Sequence, residues 1–360
     1  VTIAWFDGFD QYGADESLVP DGAWAQFDDF VLSETQARTG ERSAALTVIG
    51  AQGRRSLGGD FDQVVMGCGF RLSRLPIPPF NAIRGCTVVQ QFRNGANRSH
   101  ISIQIGTTGR ILIMGGGLDR TSSTTGPDAP VLLAQSTLEV AAGAWNHMET
   151  KAIFDADGSV EVKINGKTFV SYEGNTLFGT GGAEVAQIAI GSFDSSIPIE
   201  YEILWWDDIF VSVGETADFL GQMGVYYLQP VSDAAPQEWD YTTGANGYPL
   251  ISEIPPDGDV DYIFSESVGN KARFAVEPLP VNVLSVAAVA PLAYARKTDS
   301  GDCNIQLGVF SIATLEMAAD DKAMATSYNY FFDVWETDPG NGDGAWTPSA
   351  MPNIQVERTV

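Results

Sequence analysis

Between Gly143 and Gly174 the chain reads GAWNHMETKAIFDADGSVEVKINGKTFVSYEG. Val160, Val162 and Ile164 alternate with Glu161 and Lys163, so one side of this run is apolar and the other is wet. Asp157-Gly158 and Asn165-Gly166 suit the positive dihedrals of primed hairpin turns. A strand patterned this way, closed at both ends by two-residue turns, pairs with its neighbours antiparallel. Similar short runs recur at 64–72, 86–92, 99–105, 110–114, 147–154, 159–164 and 185–190, each bounded by Gly, Asp or Asn. Even spacing of short alternating runs predicts an antiparallel sandwich or barrel. Before Gly214 no stretch has helical periodicity beyond short turns.

The 360 residues suit two domains better than one. The expected division is a sandwich over 1–214, a short acidic linker over 215–235, and a smaller β domain over 236–360. In that second part SEIPPDGDVDYIFSE and TDPGNGDGAWTPSAMPN read as loops, because Pro and Gly punctuate them. Periodicity leaves Ser285–Ala290 open between a buried strand and a short helix; its β-branched Val286 and Val289 and its flanking prolines favour a strand.

Charge excludes one class of partner. The chain has 20 basic and 46 acidic residues, a net charge of −26. Nucleic-acid binding needs a basic stripe that releases counterions from phosphates, and the arginines here are interspersed with acids. No run of eighteen apolar residues predicts a membrane span. VTIAWFDGFDQYG has neither a basic start nor a long apolar stretch, so no signal peptide is expected. Three cysteines without CxxC spacing read as reduced thiols, with a Cys68–Cys86 bridge left open. His100 and His147, the only two histidines, leave little room for a histidine-based site.

WFDGFDQYG, TGERSAALTV (39–48), the Trp145-headed hairpin and WWDDIFV (205–211) together resemble the concanavalin A-like, laminin-G-like jelly roll. The continuation through DDIFV, FLGQ (219–222), the segment 225–230 and Trp239 is similar to structural proteins of tailed bacteriophages. So are DGDVDYIFSESVGNKARFAV (257–276) and ETDPGNGDGAWT (336–347). Gln222 and Gly340-Asn341-Gly342 depart from that pattern. The resemblance implies an all-β virion component: a tail, baseplate or fibre-associated subunit, or a head decoration. It would be made in the bacterial host cytoplasm, would repeat as a homo-oligomer, and would contact other virion proteins.

Catalysis is not expected. Sandwich glucanases place paired carboxylates on one strand face, and no E-x-D-x-x-E strand is present. Glu200, Glu202, Asp207 and Asp208 read as edge acids and turn caps. There is no G-x-S-x-G elbow, H-E-x-x-H or Walker loop, and MGGGLDR (114–120) reads as a loop or bulge. No cofactor is expected. Asp257, Asp259 and Asp261 alternate in one loop and are the candidate Ca²⁺ ligands, against a reading as turn caps. The second reading of function is recognition of a host-surface glycan, with Trp24, Trp145, Tyr172 and Phe193 as stacking candidates. A glucanase-type depolymerase is the third. In the C-terminal domain Phe331, Phe332, Trp335 and Trp346 are candidate docking anchors. The tail SAMPNIQVERTV is a candidate strand for a neighbour's sheet edge.

Overall fold

The computed structural model describes the chain except residues 1, 14–18, 20–23, 29, 47–51, 77–86, 117–129, 179–181, 192–203, 350, 352 and 360. It is all β. Among the described residues the helices are single 3₁₀ turns such as Asp10–Tyr12 and Tyr248–Leu250, and none is long and apolar enough to cross a membrane. The chain forms two compact units, Val1–Pro20 with Trp24–Val225, and Tyr226–Val360.

The first unit is a jelly-roll-like sandwich of two antiparallel sheets. One sheet runs Lys167–Gly174, Gly158–Ile164, Trp145–Ile153, Gln63–Leu72, Leu204–Val213, Ser43–Leu46, Phe30–Ser33, with Thr2–Asp7 also paired to Leu204–Val213. The other runs Val131–Glu139, Arg110–Gly115, Ser99–Ile105, Thr87–Arg93, Val185–Gly191, Gln52–Phe61, Gln26–Asp28. Six of the seven expected runs coincide with strands to within two residues, and the seventh, 86–92, matches Thr87–Arg93 with its first residue outside the described set.

Alternation decides which side chains meet between the sheets. Met66, Phe70 and Leu72 from one sheet, and Ile101, Ile103, Ile111 and Ile113 from the other, are all buried at 2 % exposure or less. Each such side chain contributes about 1.5–3 kcal/mol by leaving water. Asn165 and Gly166 both have positive φ, 51° and 79°, as the primed turn requires. The other turn differs from expectation. Neither Asp157 nor Gly158 has positive φ among the described residues; Asp155 closes a wider turn by accepting from the Asp157 amide.

The expected linker is not one. Gly214–Val225 belongs to the sandwich, and Pro230–Gln237 is already a strand of the second unit. That unit holds a sheet ordered Pro230–Gln237, Lys271–Val276, Asn353–Thr359, Asn304–Ser311, Thr314–Met317, with Lys322–Ala323 also on Asn304–Ser311. Two short ribbons complete it, Asp240–Tyr241 with Ile263–Phe264 and Leu292–Ala295 with Asn329–Phe332. The stretch Ser285–Ala290 is neither strand nor helix. It makes two isolated bridges, Val286 to Trp346 and Val289 to Trp335.

Candidate functional site

Four carboxylates from the motifs of the sandwich come together at one corner. Asp7 follows the first strand and accepts from the Phe9 amide, the Tyr12 hydroxyl and the Trp24 indole at 2.8–2.9 Å. Asp10 Oδ1 accepts from the Glu41 and Arg42 amides at 2.8 and 2.9 Å. Gly40 lies between those loops with φ +58°, and a Cβ there would collide with the Asp10 carboxylate, so only glycine fits. On Leu204–Val213 the ladder bulges between Asp207 and Phe210, with Asp208 at φ 51°. The bulge sets two consecutive acids on the same loop. Asp207 accepts from the Arg38 and Thr39 amides, and Asp208 accepts from the Arg38 guanidinium and the Thr39 hydroxyl.

Burial governs the charge state of this corner. Asp207 and Asp208 are fully buried. Burial pushes the Asp207 carboxyl up to about 9, and the Asp208 charge beside it adds to the rise. Asp208 is also raised by burial, against the pull of Arg38. Asp10 is raised to about 6, chiefly by burial. Two adjacent buried acids facing one guanidinium share protons rather than ionise together. His147 is buried nearby, stacked on Phe210 with ring centroids 6.1 Å apart. Its imidazole is pushed down to about 3 by burial, with Arg38 adding to the fall. Neither ring nitrogen has a partner among the described residues.

The corner also anchors a strap, residues 214–225, laid over the outer side of the eight-stranded sheet. Gln63 Nε2 donates to the Ala217 carbonyl at 2.6 Å, and Lys151 pairs with Asp218 at 3.2 Å. Buried Glu149 accepts from the Leu220 and Gly221 amides at 2.8 and 3.0 Å. The Lys163 ammonium lies 3.6 Å from the Phe219 ring centroid. At the end of the strap, Asp208 accepts from the Val225 amide at 2.7 Å and Arg38 donates to the Met223 carbonyl at 2.6 Å. Ala217, Leu220 and Met223 pack on Val65 and Phe210. Gly67 makes room for the Phe210 ring, which a Cβ would strike. Every acid here is spent on holding chain. The reading of Asp207 and Asp208 as caps matches their contacts, but they are not solvated edge acids, being fully buried on a strand paired on both sides; Glu200 and Glu202 lie outside the described residues.

The stacking candidates do not form one platform. Trp24 is 1 % exposed, packed against Trp5, Phe9 and Phe27, so it cannot meet a sugar. Tyr172 lies opposite Val160, on the core-facing side of its strand, whereas Trp145 shares the outer side with Glu149. Phe193 lies outside the described residues. Trp145 is half-buried and has neighbours the sequence did not reveal. Register places Trp145 and Trp205 on either side of Arg71, and continues through Ala45 to Val31. That row is visible only once three distant segments pair.

The seven-stranded sheet carries a polar row of its own on its outer side. Gln91, Arg93, Ser102 and Gln104 are at most 1 % exposed. Arg93 donates to Gln91 at 3.0 Å and Gln104 to Ser102 at 3.1 Å. Gln91 Nε2 and Gln104 Oε1 have no partner among the described residues. The row is enclosed and presents no surface.

In the second unit several expectations are corrected. Trp335 and Trp346 are 7 % and 3 % exposed, forming a core with Val309 and Ala318, so they anchor the unit itself. Phe331 and Phe332 are half-buried on the Leu292–Ala295 ribbon. The tail strand Asn353–Thr359 is not free to join a neighbour, being paired on both sides by Lys271–Val276 and Asn304–Ser311. Asp259 is bonded by Arg296 at 2.8 and 2.9 Å and by the Tyr328 hydroxyl at 2.8 Å. Asp257 caps the Asp261 amide. Among the described residues no group of three or more His, Cys, Asp or Glu side chains is placed so that it could hold one metal ion. Cys68 and Cys303 are free, buried thiols, and burial pushes Cys68 up to about 12; Cys86 lies outside the described residues.

No family model matches the chain, and no curated protein does. Among solved structures, an endo-β-1,4-glucuronan lyase from the fungus Trichoderma reesei is similar at 14 % identity and TM-score 0.41, over 59 % of this chain and 96 % of that one. The cellulose-induced protein Cip1 gives 15 % and 0.39, over 58 % and 96 %. The carbohydrate-binding module CBM66 from Bacillus subtilis gives 7 % and 0.30, over 51 % and 95 %. At such identities and TM-scores these likenesses carry no inference about activity or ligand.

Proposed function

We propose that this chain is a non-catalytic structural subunit of a tailed-phage virion, working through assembly contacts. One observation carries the reading. The motifs that resemble the jelly roll meet in a single mechanical joint: Asp7 and Asp10 from WFDGFDQYG, Thr39 to Arg42 from TGERS, and Asp207 and Asp208 from WWDDIFV. The continuation that resembles the phage proteins, DDIFV and then the strap FLGQMGV, begins at this joint and is clamped by it through Asp208. Residues that act as girders leave no free acid pair at this corner for hydrolysis. Subunits of particles repeat by symmetry, so the chain acts as a homo-oligomer among other virion proteins, after synthesis in the host cytoplasm. Immunogold microscopy and mass spectrometry of purified particles test this. Gold on the tail or head supports it; absence from particles that contain other virion proteins overturns it.

A second reading, recognition of a host-surface glycan, is favoured by the half-buried Trp145–Arg71–Trp205 row. It is compatible with a place on a virion. Its test is saturable binding of any saccharide by the intact chain.

A further inference from the structure

We propose that Trp145, Arg71 and Trp205 form a subsite for a saccharide bearing a carboxylate. The inference rests on the glycan reading above and gives it a place and a ligand class.

Cross-strand partners on neighbouring strands project to the same side of a sheet. Arg71 is directly opposite Trp145 on one strand and Trp205 on the other. The three side chains therefore stand in one row on the outer side of the eight-stranded sheet, with the tryptophans about 10 Å apart, two strand spacings. All three are half-buried, so each keeps part of its surface in solvent. Among the described residues the strap's contacts are to Gln63, Val65, Lys151, Glu149, Lys163 and Phe210, and its end is held by Arg38, Thr39 and Asp208.

Arg71 is the part that specifies charge. Its guanidinium carbon lies over the Trp205 ring, 5.7 Å from the centroid. Its Nη1 donates to the Gln36 side chain, and its Nε is buried without a partner among the described residues. Arg38, Arg42 and Arg110 have acid partners, Asp208, Glu34 and Glu139, whereas Arg54 and Arg93 are held by Gln26 and Gln91. In a chain with more than twice as many acids as bases, a guanidinium without a carboxylate is a donor set awaiting one. Arginine binds carboxylates through a planar fork, and tryptophan faces take the apolar faces of sugar rings. Val31 and Ala45 extend the row without adding an acid. The net charge of −26 opposes anions at long range, but salt screens that field beyond about 8–10 Å, leaving the local cation in control.

The test uses the full chain and isothermal titration with tetragalacturonate and the neutral tetramer cellotetraose. The expected result is saturable binding of tetragalacturonate, at least tenfold tighter than cellotetraose. Trp145→Ala and Trp205→Ala should each weaken it at least tenfold. Arg71→Gln should erase the preference for the acidic tetramer while leaving the melting temperature unchanged, which separates recognition from folding. Tyr172→Ala, on the other side of the sheet, should leave affinity unaltered. Equal binding of both tetramers overturns the ligand class. Saccharide binding indifferent to all three row substitutions overturns the site while sparing the glycan reading. Absence of any saccharide binding overturns both, and self-association abolished by Trp145→Ala would then assign the row to contacts between copies.

Discussion

The sandwich and the C-terminal unit are both all-β, yet they are held together differently. The sandwich stacks two broad sheets, with strands up to ten residues long and isoleucines and aromatics filling the space between them. The C-terminal unit has strands of at most eight residues and a core built round two tryptophans. Trp335 and Trp346 are tied in by single bridges to Val289 and Val286, and the Trp346 indole donates to the Trp335 carbonyl at 2.9 Å. A wide sheet spreads its stability over many ladders. A small unit concentrates it in a few contacts, as small domains bury proportionally less surface.

The sharpest way to break that comparison is to remove the last strand. Deleting Ser349 to Val360 takes away the partner of both Lys271–Val276 and Asn304–Ser311. The expected outcome is loss of the calorimetric transition of the C-terminal unit and its digestion in limited proteolysis, with the sandwich left folded. Survival of both units would show that the small sheet does not depend on its central strand.

Within the sandwich the largest single-residue effect should come from Asp208→Ala. The change leaves Arg38 without its buried partner and frees the Thr39 hydroxyl and the Val225 amide. Breaking a buried pair on one side costs about 3–5 kcal/mol. Denaturant titration should show that loss, and hydrogen exchange should show the strap opening first at Val225. A loss comparable to that of a surface acid would mean the corner is not the joint described.

How much of this was legible in the sequence follows from the same contrast. Alternation and turn chemistry are local, so Gly158–Ile164 and Ser99–Ile105 were readable from their own residues. Gly67 and Gly40 carried a signal whose meaning depends on Phe210 and Asp10, far along the chain. Gly214–Val225 has no strand pattern and reads as a linker in sequence, because the strap is held by side chains of other strands rather than by a ladder. Trp335 and Trp346 looked like anchors for a partner because nothing in TDPGNGDGAWT shows that Val286 and Val289 close over them. The Trp145–Arg71–Trp205 row was invisible for the same reason: register is a tertiary fact.

A subtler difference is in proton uptake. His147 is neutral in the fold, with its pKa pushed down to about 3. Between that value and its unfolded value near 6.5 the unfolded chain binds the extra proton, so this group's contribution falls as pH falls. The loss amounts to about 2 kcal/mol at pH 5. Asp10 and Asp207 act the other way. Their pKa values are raised to about 6 and about 9, so what they contribute is complete below about 3.8 and is lost as pH rises through those values. His147→Leu should flatten the acid limb of the stability–pH curve for the sandwich and leave the limb above pH 6 in place. An unchanged acid limb would exclude His147 as its source.

The smallest effect should come from the acidic loop of the C-terminal unit, whose carboxylates are exposed where those of the sandwich are buried. Asp259 is held by Arg296 and Tyr328 at the surface, and its pKa is lowered, first by the Arg296 bond. Exposed pairs of this kind contribute little because water and salt screen them. Calcium would have to displace a guanidinium already bonded through two of its nitrogens, and Asp257 is engaged by the Asp261 amide. Asp259→Asn should therefore leave the melting temperature of the C-terminal unit unchanged, and neither millimolar Ca²⁺ nor a chelator should move it in the unaltered chain. A rise with Ca²⁺ that Asp259→Asn abolishes would make this loop a cation site, and would reverse the contrast by giving the exposed acids, rather than the buried ones, the binding role.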